Sequence, residues 1–238
     1  MPISDGMPFD TLESRWFFEA SSMRSAPEVE AWFLSRKSTD PATSARETDP
    51  PQWRTDRYLV VPGTADIAIK LREGRFEVKG KVADLGMQTF EPGASGRIER
   101  WMKWSCDMEA DGEQTRPRGG WLGCADVDDA ALPVAKQRLM RTFHIGESPA
   151  AMAAAATEPE KDRLMDFELT RIRLGDAAAD THWSLAFEAS PYGPGLAEVF
   201  RRIAAELLRD WPGPPLGAEA SMSYASWLSG IAERQAGQ

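Results

Sequence analysis

The stretch DIAIKLREGRFEVKGKV, residues 66–82, alternates charged and apolar side chains along two segments separated by Glu73-Gly74. The charged side chains share one face of each segment: Lys70 and Arg72 in the first, and Glu77, Lys79 and Lys81 in the second. Strand side chains switch faces at every residue, so this period of two predicts two strands of a half-buried sheet. The Glu-Gly pair between them predicts a hairpin turn.

The same alternation recurs further along the chain, in the predicted strands 96–109, 132–145, 165–176 and 181–190. Their polar faces carry Glu99, Trp101 and Lys103, and then Lys136 and Arg138. Together with residues 13–20 and 54–63, this makes seven or eight strands without a regular βαβ order. The pattern predicts a β-dominated α+β fold, an antiparallel barrel or tunnel of about eight strands with peripheral helices.

Helical periodicity is confined to a few segments. Residues 26–36 predict a short helix with Ser25 as N-cap, 150–163 a helical alanine-rich run, and 196–210 an amphipathic helix that packs outside the barrel. We predict one domain over 1–238, with a flexible loop at 37–52. The alternative fold is a curved sheet around a long C-terminal helix, as in lipid-binding helix-grip proteins, with an apolar cavity and the cations outside.

The charge of the chain is unevenly distributed. The net charge is −9, yet residues 54–141 hold 15 Lys/Arg against 14 Asp/Glu, and the rest of the chain holds 13 against 23. An acidic protein is a poor candidate for sequence-independent nucleic-acid binding, which needs a basic surface. A cation-rich middle in an acidic chain predicts instead a local site for an anion.

The cysteines and the N-terminus indicate where the protein resides. The two cysteines, Cys106 and Cys124, lie far apart without CxxC or CxxH spacing, which favours reduced thiols of a cytosolic protein over a zinc site or a disulfide framework. The first ten residues lack the basic and apolar regions of a signal peptide, and no apolar stretch is long enough to cross a bilayer. We therefore expect a cytoplasmic protein without a membrane partner, whose oligomeric state the sequence leaves open.

The charged faces admit two interpretations. Turned toward the lumen of a closed barrel, they form a ring of cations with carboxylates among them, which suits a phosphate chain and a divalent ion. Turned outward, they are the wet face of an ordinary sheet. Alternation alone favours the wet face, so other evidence is needed to choose the lumen.

The order of short motifs provides such evidence. Asp56 and Tyr58 form an Asp-x-Tyr strand, Lys70 and Arg72 follow in the place of an Arg-x-Arg strand, and Lys79 or Lys81 supplies the next lysine. The segment KQR at 136–138 then gives Lys-x-Arg, and MSYASWL at 222–228 closes the chain. In this order the sequence resembles the CYTH family of triphosphate tunnel proteins, which includes thiamine triphosphatases and class IV-type adenylate cyclases.

The resemblance implies a CYTH-like tunnel in which cations bind the phosphates of a small molecule. The residues predicted to bind phosphate are Lys70, Arg72, Lys79, Lys81, Lys103, Lys136 and Arg138. It also implies Mg²⁺ or Mn²⁺ held by glutamates, for which this chain offers Glu13, Glu19, Glu168 and Glu188.

The sequence departs from the family at the metal-binding strands. The family begins with Glu-x-Glu-x-Lys, whereas here Glu13 is followed by Arg15 and Phe17, and the closing Glu-x-Glu reads Ala186-Phe-Glu188. Two functions therefore remain open. One is metal-dependent hydrolysis of a triphosphate or another phosphorylated small molecule. The other is a catalytically inactive module of the same fold that binds an anion or a protein.

Overall fold

Eight antiparallel strands close into a barrel in the computed structural model, which describes residues 9–37, 51–61, 63–73, 75–90, 93–107, 131–145 and 163–236. The strands are β1 (Phe9–Glu19), β2 (Trp53–Leu59), β3 (Ile67–Arg72), β4 (Arg75–Phe90), β5 (Ala94–Asp107), β6 (Ala131–His144), β7 (Leu164–Leu174) and β8 (His182–Ser190). Their order around the barrel is β1-β5-β4-β3-β2-β6-β7-β8, and β8 pairs with β1. The predicted β-dominated α+β barrel is confirmed.

The β3–β4 hairpin has the turn and the alternation predicted for residues 66–82. Arg72 pairs with Arg75 across the two-residue connection, and Lys70 pairs with Glu77. Glu73 in that connection has φ of 46°, in the left-handed region typical of tight hairpin turns. The hairpin therefore sets the register that places Lys70 and Glu77 side by side.

Strand β4 runs on to Phe90, eight residues past the predicted end at Val82. Its pairing with β5 shifts register between Lys81 and Ala83 and again between Asp84 and Met87. Such irregularities bend a strand and interrupt its alternation. The period-two pattern stops there although the strand does not, which explains the short prediction.

The main apolar core lies outside the barrel, between the outer faces of β1, β7 and β8 and two helices, α1 (Ala26–Leu34) and α2 (Leu196–Leu207). Ser25 caps α1 as predicted, since its Oγ accepts a hydrogen bond from the backbone N–H of Glu28 (3.3 Å). Phe187 of β8 stacks on Phe167 of β7 at 4.6 Å and meets Phe200 of α2 edge-on at 6.1 Å. Because apolar residues fill the outer side, the inner faces are left for polar ones.

A third helix, α3 (Tyr224–Ala236), packs against one end of the barrel. Its Trp227 stacks on Phe17 of β1 at a centroid distance of 4.4 Å, and its Tyr224 stacks on Tyr58 of β2 at 5.6 Å. These rings belong to a second buried apolar cluster that also contains Val134 and Ile172. The lumen is thus closed by apolar side chains at the α3 end.

The alternative helix-grip fold is wrong, because the sheet closes on itself and its cations line the inside. Residues 38–50 of the predicted loop and 150–162 of the predicted alanine-rich helix lie outside the described residues. Within the described part of the chain, each helix is too short or too polar to cross a membrane.

Candidate functional site

The barrel lumen holds a cavity of about 510 Å³ that is lined mainly by charged side chains. Charged residues on its wall come from every strand of the described barrel: Glu13, Arg15, Arg54, Asp56, Lys70, Arg72, Glu77, Lys79, Lys103, Lys136, Arg138, Asp166, Glu168 and Glu188. Alternation along the strands turns these residues inward, while their neighbours in sequence face the outer core or the surface. Of the two sequence interpretations, the structure matches the charged lumen.

Five adjacent strands, β5, β4, β3, β2 and β6, form what we call the basic arc of the wall. They contribute seven of the lining cations and two of the carboxylates: Lys103, Lys79, Lys70, Arg72, Arg54, Lys136 and Arg138, with Asp56 and Glu77. The acidic arc is formed by β7, β8 and β1, which contribute four carboxylates and one cation: Asp166, Glu168, Glu188 and Glu13, with Arg15. The two arcs therefore face each other with opposite formal charge.

Asp56 is the main counter-charge of the basic arc, and its side chain is fully buried (0% exposed). Its carboxylate lies 3.2 Å from Lys136 Nζ, 3.1 Å from Arg72 Nε and 3.2 Å from Arg54 Nε. Burial alone would raise the pKa of Asp56, but the surrounding cations outweigh it and hold the pKa well below its usual range. The carboxylate is therefore ionised and fixes the cations of β2, β3 and β6 in place.

Glu77 on β4 has the same role for the cations of β3 and β5. Its carboxylate lies 2.9 Å from Lys70 Nζ, 3.2 Å from Lys103 Nζ and 3.4 Å from Arg72 Nη1. Although burial opposes ionisation, Lys70 and then Arg72 and Lys103 lower the pKa of Glu77 to about 2. Burial and the neighbouring Arg72 in turn lower the pKa of Lys70 to about 8. The basic arc therefore holds more positive charge than its two carboxylates neutralise.

In the acidic arc, carboxylates outnumber the cations. Glu188 lies in register with Glu13 on β1 and with Asp166 on β7, so three carboxylates occupy adjacent positions on adjacent strands. Burial, with contributions from Glu168 and Glu188, raises the pKa of Asp166 to about 6, although Thr142 Oγ1 donates a hydrogen bond to it at 2.7 Å. This part of the wall holds more negative charge than its single arginine neutralises.

The inner end of the cavity, next to α3, combines cations with aromatic rings. Lys136 Nζ donates a hydrogen bond to Tyr58 Oη (2.5 Å) and lies 3.9 Å from the ring centroid of Tyr224. Arg15 lies over the same ring at 4.9 Å. Burial, and then the nearby cations Lys70 and Arg15, lower the pKa of Lys136 well below its usual value. Tyr58 and Lys136 are both buried at this end.

Six of the seven residues predicted to bind phosphate line the cavity together: Lys70, Arg72, Lys79, Lys103, Lys136 and Arg138. Lys81 does not, because it lies where the β4–β5 register shifts. Its Nζ pairs with Asp66 (2.6 Å) and Glu99 (3.3 Å) instead. That these six bind phosphate remains a prediction of the sequence.

Among the predicted metal ligands, Glu13, Glu168 and Glu188 line the cavity, whereas Glu19 is exposed outside it. Phe17 lies between Glu19 and the cavity on the inner face of β1, stacked on α3. The structure therefore brings three of the four glutamates to one wall and leaves the fourth beyond the closed end of the barrel.

The lining glutamates do not fit a metal as a ligand set, because each is bound to a cation of the protein. Lys79 Nζ lies 2.5 Å from Glu13 and 3.2 Å from Glu188, and Glu168 lies 3.2 Å from Arg15 and 2.5 Å from Arg138. In the described residues, no group of three or more His, Cys, Asp or Glu side chains is placed to hold an ion. Mg²⁺ requires near-octahedral oxygen ligation, and each of these carboxylates has at least one oxygen engaged by a cation of the protein instead.

Several lining residues are absent from the predicted phosphate and metal sites, among them Arg54, Asp166 and Tyr224. Arg54 shares the face of Asp56 and Tyr58, and Asp166 shares the face of Glu168, so parity was sufficient to find both. Tyr224 comes from α3, and its place at the inner end depends on how that helix docks. No local pattern predicts such a contact.

Comparison with known proteins finds similarity in structure and none in sequence. No protein-family model matches the chain, and no curated protein matches its sequence. The structure of the S. pombe Pct1 RNA triphosphatase is similar with a TM-score of 0.31 and 12% sequence identity, over 87% of this chain and 83% of that one.

Proposed function

We propose that this protein binds a phosphorylated small molecule in the lumen of its barrel. The observation that carries the proposal is the basic arc, where seven lysines and arginines on five adjacent strands face one cavity with only two carboxylates among them. Several cations around a small enclosed volume neutralise the oxygens of a phosphate group at short range. Hydrogen bonds between such ionised groups are about twice as strong as those between neutral groups.

The shape of the cavity favours a compact ligand. Its volume of about 510 Å³ is in the range of small-molecule sites. Side-chain exposure rises from Asp56 (0%) near the α3 end to Arg138 (35%) away from it. A ligand enters from the Arg138 side, and the group that the protein binds most strongly lies at the buried inner end.

Binding requires the ligand to compete for cations that already have protein partners. Arg72 contacts both Asp56 (3.1 Å) and Glu77 (3.4 Å), and Lys70 contacts Glu77 (2.9 Å). Each carboxylate is shared among three or four cations, so the N–H groups of the basic arc outnumber the carboxylate oxygens that accept from them. A phosphate group supplies the missing acceptors, and the two carboxylates keep the cations in position for it.

Hydrolysis of the bound ligand is the enzymatic form of this proposal, as the family resemblance implies with Mg²⁺ or Mn²⁺. Catalysis of phosphoryl transfer depends mainly on positioning and on charge stabilisation, which the basic arc can supply. Release of inorganic phosphate from tripolyphosphate, measured with Mg²⁺, with Mn²⁺ and with EDTA, distinguishes the enzyme from the binding module. Turnover identifies the enzyme, and binding without turnover identifies the module.

The binding proposal is tested by thermal unfolding in millimolar tripolyphosphate, with and without Mg²⁺. A ligand that binds only the folded state raises the Tm, so the wild type should show a rise that Arg72→Met greatly reduces. The matched control is Arg173→Met, because Arg173 pairs with Asp180 (3.1 Å) and does not line the cavity. It should retain the wild-type shift. No shift in the wild type, or an equal shift in Arg72→Met, contradicts the proposal.

A further inference from the structure

The Lys79 ammonium lies between two carboxylates of the acidic arc. Glu13 on β1 and Glu188 on β8 are register partners, and Lys79 reaches them from β4. Its Nζ donates to Glu13 Oε1 at 2.5 Å and to Glu188 Oε2 at 3.2 Å. Two neighbouring carboxylates that share one cation have the arrangement in which a divalent ion would otherwise bridge them.

We propose that the Lys79 ammonium takes the place of a divalent cation between Glu13 and Glu188, so that the lumen binds its ligand without Mg²⁺ or Mn²⁺. The metal-independence of binding rests on the function proposed above, whereas the exclusion of metal from the glutamate pair does not.

The reason is electrostatic as well as steric. A dication between Glu13 and Glu188 would have to displace the ammonium or sit beside it, and like charges a few ångströms apart in a partly buried site repel strongly. The other carboxylates of the acidic arc do not compensate, since Glu168 is held by Arg15 and Arg138, and one oxygen of Asp166 accepts a hydrogen bond from Thr142 Oγ1. A metal therefore gains too few free oxygens to offset that repulsion.

The ammonium can also serve the ligand directly. A lysine ammonium has three N–H donors, and Glu13 and Glu188 account for two of them. Lys79 lines the cavity, so its third N–H is placed to reach a phosphate oxygen. One fixed cation then joins the acidic arc to the ligand, as a bridging ion would do.

The test is titration of Mn²⁺ alone, followed by electron paramagnetic resonance of the free ion, on the wild type and on Lys79→Met. Removing the ammonium leaves two facing carboxylates, so Lys79→Met should bind Mn²⁺ at least tenfold more tightly than the wild type. The double variant Lys79→Met/Glu188→Gln should lose that gain. Arg173→Met, which removes a paired cation away from the cavity, should match the wild type.

Two results overturn the inference. One is saturable Mn²⁺ binding by the wild type that Glu13→Gln or Glu188→Gln abolishes, which needs no Lys79 variant to fold. The other is a folded Lys79→Met, verified by circular dichroism, with no gain in Mn²⁺ binding. Metal-independent binding of the ligand is tested separately, by the Tm shift in tripolyphosphate. A shift that disappears in EDTA contradicts metal-independent binding. No shift with or without EDTA contradicts the proposed function, and the Mn²⁺ titration then decides the role of Lys79.

Discussion

The basic arc and the acidic arc face each other across one lumen, yet they come from different parts of the chain. The basic arc consists of the five strands that are consecutive in sequence, β2 to β6, within residues 53–144. The acidic arc joins β1 to β7 and β8, which lie on either side of that segment. The cation-rich middle of the sequence thus supplies the cation-rich side of the lumen.

The difference between the arcs shows how one lumen can hold many like charges and remain folded. In the basic arc, two deeply buried carboxylates, Asp56 and Glu77, each bind several cations. In the acidic arc the cations come largely from the other side, since Lys79 and Arg138 cross to reach Glu13, Glu188 and Glu168. The basic arc supplies its own counter-charge, whereas the acidic arc depends on the basic one.

The largest expected effect is on stability, when the main counter-charge of the basic arc is removed. Asp56→Asn removes the buried charge that Lys136, Arg72 and Arg54 share, and leaving buried cations without their partner is strongly destabilising. We expect the free energy of unfolding to fall by about 3–5 kcal/mol. Urea denaturation of the wild type and the variant measures it.

The control for this prediction is an exposed carboxylate with a single cation. Asp66 pairs with Lys81 at 2.6 Å and is 63% exposed. Asp66→Asn should change the free energy of unfolding by no more than about 1 kcal/mol. Equal urea midpoints for Asp56→Asn and the wild type would show that the basic arc does not depend on Asp56.

The faces of the strands were predictable from the sequence because alternation is a local property. Lys70, Arg72 and Lys103 were assigned to the polar face by counting residues, and all three line the cavity. The outer position of α2 follows from one amphipathic segment. Closure of the sheet around a charged lumen needs more than such local patterns, and its prediction also depends on the order of the motifs that resemble a tunnel family.

Partners across the lumen were not predictable, because they depend on contacts between distant segments. Lys79 and Glu188 are 109 residues apart, and no spacing in the sequence places one beside the other. Lys81 has the correct parity but is lost from the cavity at a register shift in β4, and Glu19 lies beyond the ring of Phe17 that α3 covers. Strand irregularities and the docking of α3 determine whether these two side chains reach the cavity.

Glu77 should make the stability of the basic arc depend on pH. The cations around Glu77 lower its folded-state pKa to about 2, below an unfolded value of roughly 4.3. A lowered pKa contributes stability above the unfolded pKa, and this contribution is lost as pH falls toward the folded one. We expect Glu77→Gln to be less stable than the wild type by about 2 kcal/mol at pH 7, and the difference to shrink steadily below about pH 4.5.

Urea denaturation of both proteins at pH 7, 5, 4 and 3.5 measures this difference directly. Other acid-induced losses affect the wild type and Glu77→Gln alike, so the difference between the two curves isolates this carboxylate. A constant difference across the pH series would mean that Glu77 contributes through packing and not through its charge.

The smallest expected effect is on ligand affinity, when one charge is removed from each arc in turn. Lys103 has one carboxylate partner in the wall, Glu77 at 3.2 Å, which Lys70 and Arg72 continue to hold after Lys103→Gln. If the lumen binds a phosphorylated ligand, this change should weaken tripolyphosphate binding about fivefold, or about 1 kcal/mol. Asp166→Asn removes a negative charge from the opposite wall and should strengthen binding by a similar factor at pH 7.5.

Isothermal titration at fixed ionic strength measures both affinities, with the exposed Lys37→Gln as a control that should leave the affinity unchanged. If the two variants shift the affinity in the same direction, the ligand does not sense the arcs as opposite charges, and the lumen charge is structural.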